Sequence, residues 1–215
     1  MMKNLNIGQK VLVSYILVIL IFIGLGTYII VRLNTLGNLQ DEGARRAEHS
    51  VKTSRYAELG QVSYRIIADA IINRDEKVSK YEWNERKGKI ELIMAELDAI
   101  VDTPDEKTWL SEAKQNYKQI ENIVDTQLFP LIFGTDQLSG QVMEQIKGTD
   151  ADIDKLLSMV QVSIDKITHS IEQESLEGDE RFDQISKATI SLVIIIISIF
   201  NNWLSYIFIL FKPKY

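Results

Sequence analysis

Two histidines, His49 and His169, are the whole imidazole complement of this 215-residue chain, and it contains no cysteine. A carboxylate-bridged di-iron centre in a helical protein draws on Glu-x-x-His pairs. Arg46 and Lys166 stand three residues before the histidines, so that pattern is absent. Haem ligation by His169 with Met143 or Met159 is conceivable, but a solvated surface histidine is the expectation. Asp150, Asp152 and Asp154 alternate like the start of a calcium loop. The sixth position is Lys155 rather than glycine and the twelfth is Gln161 rather than glutamate, so the loop fails. The three aspartates are expected instead to place negative charge near a helix N-terminus. Trp83, Trp109 and Tyr117 could line a pocket for an apolar ligand. Trp83 and Tyr117 fall on apolar seams, however, so packing in a core is expected of them. There is no P-loop, nucleophile elbow or zinc signature. Without cysteine there is also no disulfide framework, thiolate metal site or attached c-type haem. No catalytic residue, no metal site and no cofactor are expected, and the chain is read as a non-enzyme.

The elements that carry these residues are helices. From Val11 to Val31 there is no charged residue, and the same holds from Ala188 to Phe211. At 1.5 Å per residue each run spans roughly 30 Å, the thickness of a bilayer's hydrocarbon core. The first run is longer than a signal-peptide core and lacks a small-x-small cleavage site, so it reads as an uncleaved anchor. Only three prolines occur, at 104, 130 and 213. Between the two runs apolar residues recur at three-and-four spacing. One seam is Ile153, Leu157, Val160, Ile164, Ile167 and Ile171. A second is Leu110, Ala113, Tyr117, Ile120 and Val124, continuing to Leu131. A third is Trp83, Ile90, Ile93, Leu97 and Ile100. A looser fourth is Leu59, Val62, Ile66 and Ala70, preceded by Leu36 and Leu39. Narrow seams on otherwise polar helices suit coiled-coil-like packing in a bundle.

The punctuation agrees with that reading. Thr103-Pro104-Asp105-Glu106 has a capping threonine, proline at the first helical position and a glutamate that completes a capping box. Asn73-Arg74-Asp75 and Phe133-Gly134-Thr135-Asp136 read as turns, and Gly148 leaves the last helix starting anywhere from 137 to 150. Helices are expected over 32–73, 76–101, 104–133 and about 140–189. The fold class is therefore all-α: an antiparallel up-down four-helix bundle, continuous with two transmembrane helices.

Charge supplies the orientation. Lys3 and Lys10 flank the first run, and Lys212 and Lys214 follow the second. Basic residues near the ends of spans are retained in the cytoplasm. The region 32–189 holds 20 basic and all 30 acidic side chains, a formal charge of −10. Such a segment is a poor binder of nucleic acid or anionic lipid. The expected layout is a cytoplasmic tail over 1–10, spans over 11–31 and 190–211, an extracytoplasmic sensor over 32–189 and a cytoplasmic tail over 212–215.

With this layout the chain resembles the N-terminal part of a methyl-accepting chemotaxis receptor with a four-helix-bundle sensor. The resemblance covers nearly the whole chain. It rests on MKNLNIGQKVLVSYILVILIFIGLGTYII, on RIIADAIINRDEKVSKYEWNERKGKIELIMAELDAI and on the run into the second span. It is one of layout and loose pattern rather than an invariant signature, and similar sensors front histidine kinases and diguanylate cyclases. It implies a bacterial plasma-membrane protein that senses an extracytoplasmic small molecule and passes the signal through the second span. It also implies a homodimer, or a heterodimer with related receptors. Family members continue into a HAMP linker through a basic residue and proline. Lys212-Pro213 resembles that entry two residues before the sequence given ends, so a truncated receptor or a short partner protein is expected.

Amino-acid-binding members of that family grip the ligand's carboxylate with arginines on the first sensor helix. Arg55, Arg65 and Arg74 lie on or near that helix, but the family's close arginine cluster is missing. Ion-paired or solvated arginine is the expectation for each. Arg65, with Tyr64 and Asp69 nearby, is the weak ligand-binding candidate. The alternative reading is a non-catalytic helical membrane adaptor without a ligand of its own.

Overall fold

A computed structural model describes residues 7–56, 59–134 and 139–210, and among them every regular element is helical. The helices are α1 (Ile7–Tyr56), α2 (Leu59–Asn73), α3 (Glu76–Ile100), α4 (Pro104–Ile123), α5 (Phe129–Phe133) and α6 (Gly140–Leu210). A single π-helical turn, Val124–Leu128, joins α4 to α5. The chain divides into two compact units. One is Arg45–Ser175, and the other is made of Met1–Ala44 with Leu176–Tyr215.

Local chemistry sets the helix ends. Asp75 caps α3 by accepting from the Val78 amide at 3.0 Å. Thr103 caps α4 as expected: its hydroxyl accepts from the Glu106 amide, and Glu106 Oε2 accepts in return from the Thr103 amide, both at 3.3 Å. Arg74 closes the α2–α3 turn with φ 52°, the left-handed region that residues other than glycine seldom occupy. Its guanidinium donates to the Ile132 carbonyl at 2.7 Å, which fastens the end of α2 to α5. Of the other expected turn, Thr135 and Asp136 lie outside the described residues. The last helix begins at Gly140. Asp150, Asp152 and Asp154 are therefore more than two turns inside α6, and the expectation that they charge a helix N-terminus is corrected.

The unit Arg45–Ser175 holds one apolar core, fed by α2, α3, α4, the π turn, α5 and α6. All six residues of the α6 seam, from Ile153 to Ile171, are buried in it, joined by Ile146. Leu110, Ala113, Tyr117, Ile120 and Val124 of the second seam are buried as well. Burial of each such large side chain contributes about 1.5–3 kcal/mol.

The seams depart from expectation in three places. Beyond Val124 the core positions are Leu128, Phe129 and Ile132, while Leu131 is only partly buried. Pro130 has no amide hydrogen and its ring crowds the carbonyl four residues back, which is where helices take up an irregularity. The π turn adds a residue and advances the phase by one, so Ile132 takes the place expected of Leu131. On α3 the buried set is Ser79, Trp83, Arg86, Ile90, Met94 and Leu97, followed by the C-cap Val101, with Ile93 and Ile100 at its margin. On α2 it is Ser63, Ile66, Ile67 and Ala70, with Val62 half-buried.

The second unit has the opposite character. Its α1 and α6 stretches are long and apolar enough to cross a membrane. Leu12, Leu20, Ile23, Ile194, Ile195 and Ile199 are all exposed there, and Phe22 meets Phe200 edge-on at 5.4 Å.

Candidate functional site

The core of the Arg45–Ser175 unit encloses a guanidinium among its apolar residues. Arg86 occupies a core position of α3 between Trp83 and Ile90, and is 8% exposed. Its Nε donates to the Ser63 hydroxyl of α2 at 3.1 Å. The Tyr117 phenol of α4 lies beside both groups and is itself buried. The Ser63 hydroxyl and the Arg86 guanidinium both lie close enough to that phenol to act on its ionisation. Three helices thus place a guanidinium and two hydroxyls together in an otherwise apolar interior.

The electrostatics follow from burial. Loss of solvent pushes the Tyr117 phenol up to about 12, against the smaller opposing pulls of Ser63 and Arg86. Desolvation likewise pulls the Arg86 guanidinium below its usual range. Tyr117 opposes that shift, and the like charge of Arg65 adds to it.

Two further groups border the cluster. The Trp83 indole donates to Asp125 Oδ1 at 2.9 Å, and Lys87 pairs with Asp125 Oδ2 at 2.7 Å, anchoring the π turn against α3. Tyr117 also forms part of the floor of an open groove of about 570 Å³ between α3 and α4. Lys87, Lys114 and Lys118 stand on that groove with Glu91, Glu121 and Asp125. The mixed-charge rim can ion-pair and hydrogen-bond with a polar molecule, while Arg86 and Ser63 lie in the core beneath and are not on the groove.

Most of the residues singled out in the sequence lie apart from this cluster. Arg65 is on the exposed side of α2 and reaches the cluster only as a like charge. Arg55 is exposed, and Arg74 is committed to the α2–α3 turn. His169 is exposed and His49 half-buried. Trp83 and Tyr117 are core residues, while Trp109 is half-buried under Lys166, whose ammonium lies 5.9 Å from the ring centre. Arg86 is the residue that sequence reasoning passed over. Its signal was the seven-residue gap between Trp83 and Ile90, where a seam needs a member and an arginine stands.

No family model, curated protein or solved structure matches this chain at a significant level.

Proposed function

We propose that the chain is a membrane-anchored sensor of chemoreceptor type. In this reading residues 11–31 and 190–211 are transmembrane helices of a bacterial plasma-membrane protein. Residues 32–189 form an antiparallel up-down four-helix bundle outside the cytoplasm, and both termini are inside. The carrying observation is the contrast in burial along α1 and α6. Leu20 and Ile195 are 63% and 57% exposed, whereas Ile153, Ile164 and Ile167 further along α6 are at most 1% exposed. Leaving a large apolar side chain in water forgoes about 1.5–3 kcal/mol, a cost that lipid removes. Helices α1 and α6 each contribute residues to both units. A small shift of α6 in the core therefore has a covalent path to the second span, and shifts between packed arrangements are a recognised switching mode. The signal is a small polar molecule, with the α3–α4 groove as its first candidate site and Arg65 as a weaker one. A dimer, with itself or with a related receptor, is the assembly.

A second reading is favoured by one face of α3. Val78, Tyr81 and Leu92 are exposed and, at 100° per residue, fall within a 60° sector. Such a face suits a protein partner, as in a helical adaptor without a ligand.

Cysteine labelling tests the layout, because the chain has no cysteine of its own. Ser139→Cys should react with a membrane-impermeant maleimide in intact cells or spheroplasts, and Asn4→Cys should not; the reverse pattern would invert the topology. A panel of amino acids, organic acids and small aromatics, screened by thermal unfolding of the detergent-solubilised protein, tests the sensor. One saturable stabiliser supports it. None, together with tight association to another protein, supports the adaptor.

A further inference from the structure

We propose that Asp102, Glu106 and Glu174 form a binding site for a hard divalent cation of calcium size. They come from the α3–α4 turn, the first turn of α4 and α6, and one carboxylate oxygen of each lies within 4.8 Å of the others. Calcium binds oxygen at about 2.4 Å, so oxygens on its opposite sides stand about 4.8 Å apart. For magnesium the same span is about 4.2 Å, and that ion tolerates little departure from its octahedron. Both spans fit within that bound, so the preference for calcium rests on the irregular geometry of carboxylates drawn from three separate segments, which the larger ion accepts and magnesium does not. An all-oxygen, carboxylate set also selects hard cations over thiophilic ones.

Proximity of acidic groups is common on protein surfaces; the state of Glu106 is not. Its side chain is 1% exposed. Oε2 accepts from the amides of Asp102 at 3.0 Å and Thr103 at 3.3 Å. Oε1 is buried with no hydrogen-bond donor among the described residues. Burying carboxylate oxygen without a partner is costly unless a cation or donor meets it. Glu106, Asp102 and Glu174 line a recess of about 100 Å³. At roughly 30 Å³ per water that space takes an ion with two or three waters, the remainder of a calcium shell.

The other ionisable groups on the recess are Arg45, Arg46 and His49. Arg46 is engaged with Glu174, its Nε 3.4 Å from Oε2 and its Nη1 donating to the backbone carbonyl at 3.1 Å. Lys107 donates to the Asp102 backbone carbonyl at 3.0 Å, so two arginines and a lysine stand about the three carboxylates, and the case for a cation rests on the buried Glu106 Oε1 rather than on net charge. A bound ion would tie the start of α4 to α6, and this site stands independently of any small-molecule signal.

The experiment uses the full chain in detergent, stripped with a chelator and titrated with calcium chloride or magnesium chloride. Calorimetry reads binding and thermal unfolding reads stabilisation. Glu106→Gln removes the charge yet preserves the capping box, which glutamine also completes. Asp102→Asn changes an exposed side chain. In chelator, Asp102→Asn should melt with the wild type and Glu106→Gln at or above it, showing that both fold. The expected result is saturable calcium binding at about 0.1–1 mM, the range of extracellular calcium modules, weaker magnesium binding and a rise in melting temperature. Both effects should be lost in each variant. Absence of saturable calcium binding up to about 10 mM, binding that survives both substitutions, or magnesium binding as tight as calcium would overturn the proposal.

Discussion

Arg86 Nε and the Ser63 hydroxyl meet at 3.1 Å inside an apolar core, joining α3 to α2 where the seams would otherwise place two hydrophobic side chains. Replacing a buried charge by a side chain of similar volume is often neutral, whereas deleting it leaves a cavity and stranded polar groups. Arg86→Ala should therefore destabilise the protein by about 2–4 kcal/mol, taking the donor from Ser63 and the charge from beside Tyr117. Arg86→Met fills the space and should cost less. Urea unfolding followed by circular dichroism checks both, and equal losses would mean that the cavity is not the source.

Tyr117 makes stability depend on pH in the alkaline range. Its phenol titrates near 10 when unfolded and at about 12 when folded. Because the folded value is raised, the stabilisation is complete below pH 10 and is lost as pH rises from 10 to 12. The two-unit difference amounts to roughly 2–3 kcal/mol. Tyr117→Phe should remove this part of the alkaline decline. Tyr56, which donates to the Glu96 carboxylate, is also raised to about 12, and Tyr64 is raised by Asp150 and Asp154, so ultraviolet titration should show one fewer late phenol in Tyr117→Phe than in the wild type.

Asp150 acts with the opposite sign to most carboxylates. Burial first and Asp154 second raise its pKa, and its Oδ1 is buried without a hydrogen-bond partner among the described residues. Folding thus favours the protonated acid, and the ionised group costs stability once pH exceeds the raised value. Asp150→Asn should stabilise the protein at pH 7 by under about 1 kcal/mol. The gain should vanish as pH falls below the ordinary aspartate range. Melting temperatures of the two proteins at pH 3 and pH 7 measure it.

The α6 seam has a sharp register. Ile164 is 1% exposed, while its neighbour Asp165 is exposed and accepts from Gln161 Nε2 at 2.8 Å. Ile164→Asp should cost several kcal/mol by burying an unpaired charge, and Asp165→Ala less than about 1 kcal/mol. Indistinguishable melting temperatures for these variants would contradict the register.

The α4 cap offers a smaller, local effect. Thr103→Ala removes the hydroxyl that receives the Glu106 amide and should cost about 1 kcal/mol, while Thr103→Ser should be nearly neutral. A loss from Thr103→Ser equal to that from Thr103→Ala would point to the threonine methyl instead of the cap.

What the sequence determined by itself is what depends on near neighbours along the chain. Helical spacing put Ile153 to Ile171 on one face because the α-helix repeats every 3.6 residues whatever packs against it. Thr103 and Glu106 announced a capping box because both partners lie within one turn. The two uncharged runs were plain from composition, and the exposure of Leu20 and Ile195 is what that composition leads one to expect. Tertiary structure decided the rest. An unbroken helix was expected over 104–133, but packing takes up Pro130 through an extra residue that turns Ile132 inward instead of Leu131. Arg86 reads as a surface residue until Ser63 and Tyr117, from two other helices, are brought around it. Asp102 and Glu106 meet Glu174 only because α4 and α6 lie side by side there. Local periodicity fixes which residues share a face; which faces meet depends on contacts between segments far apart in the chain, and no local spacing encodes those.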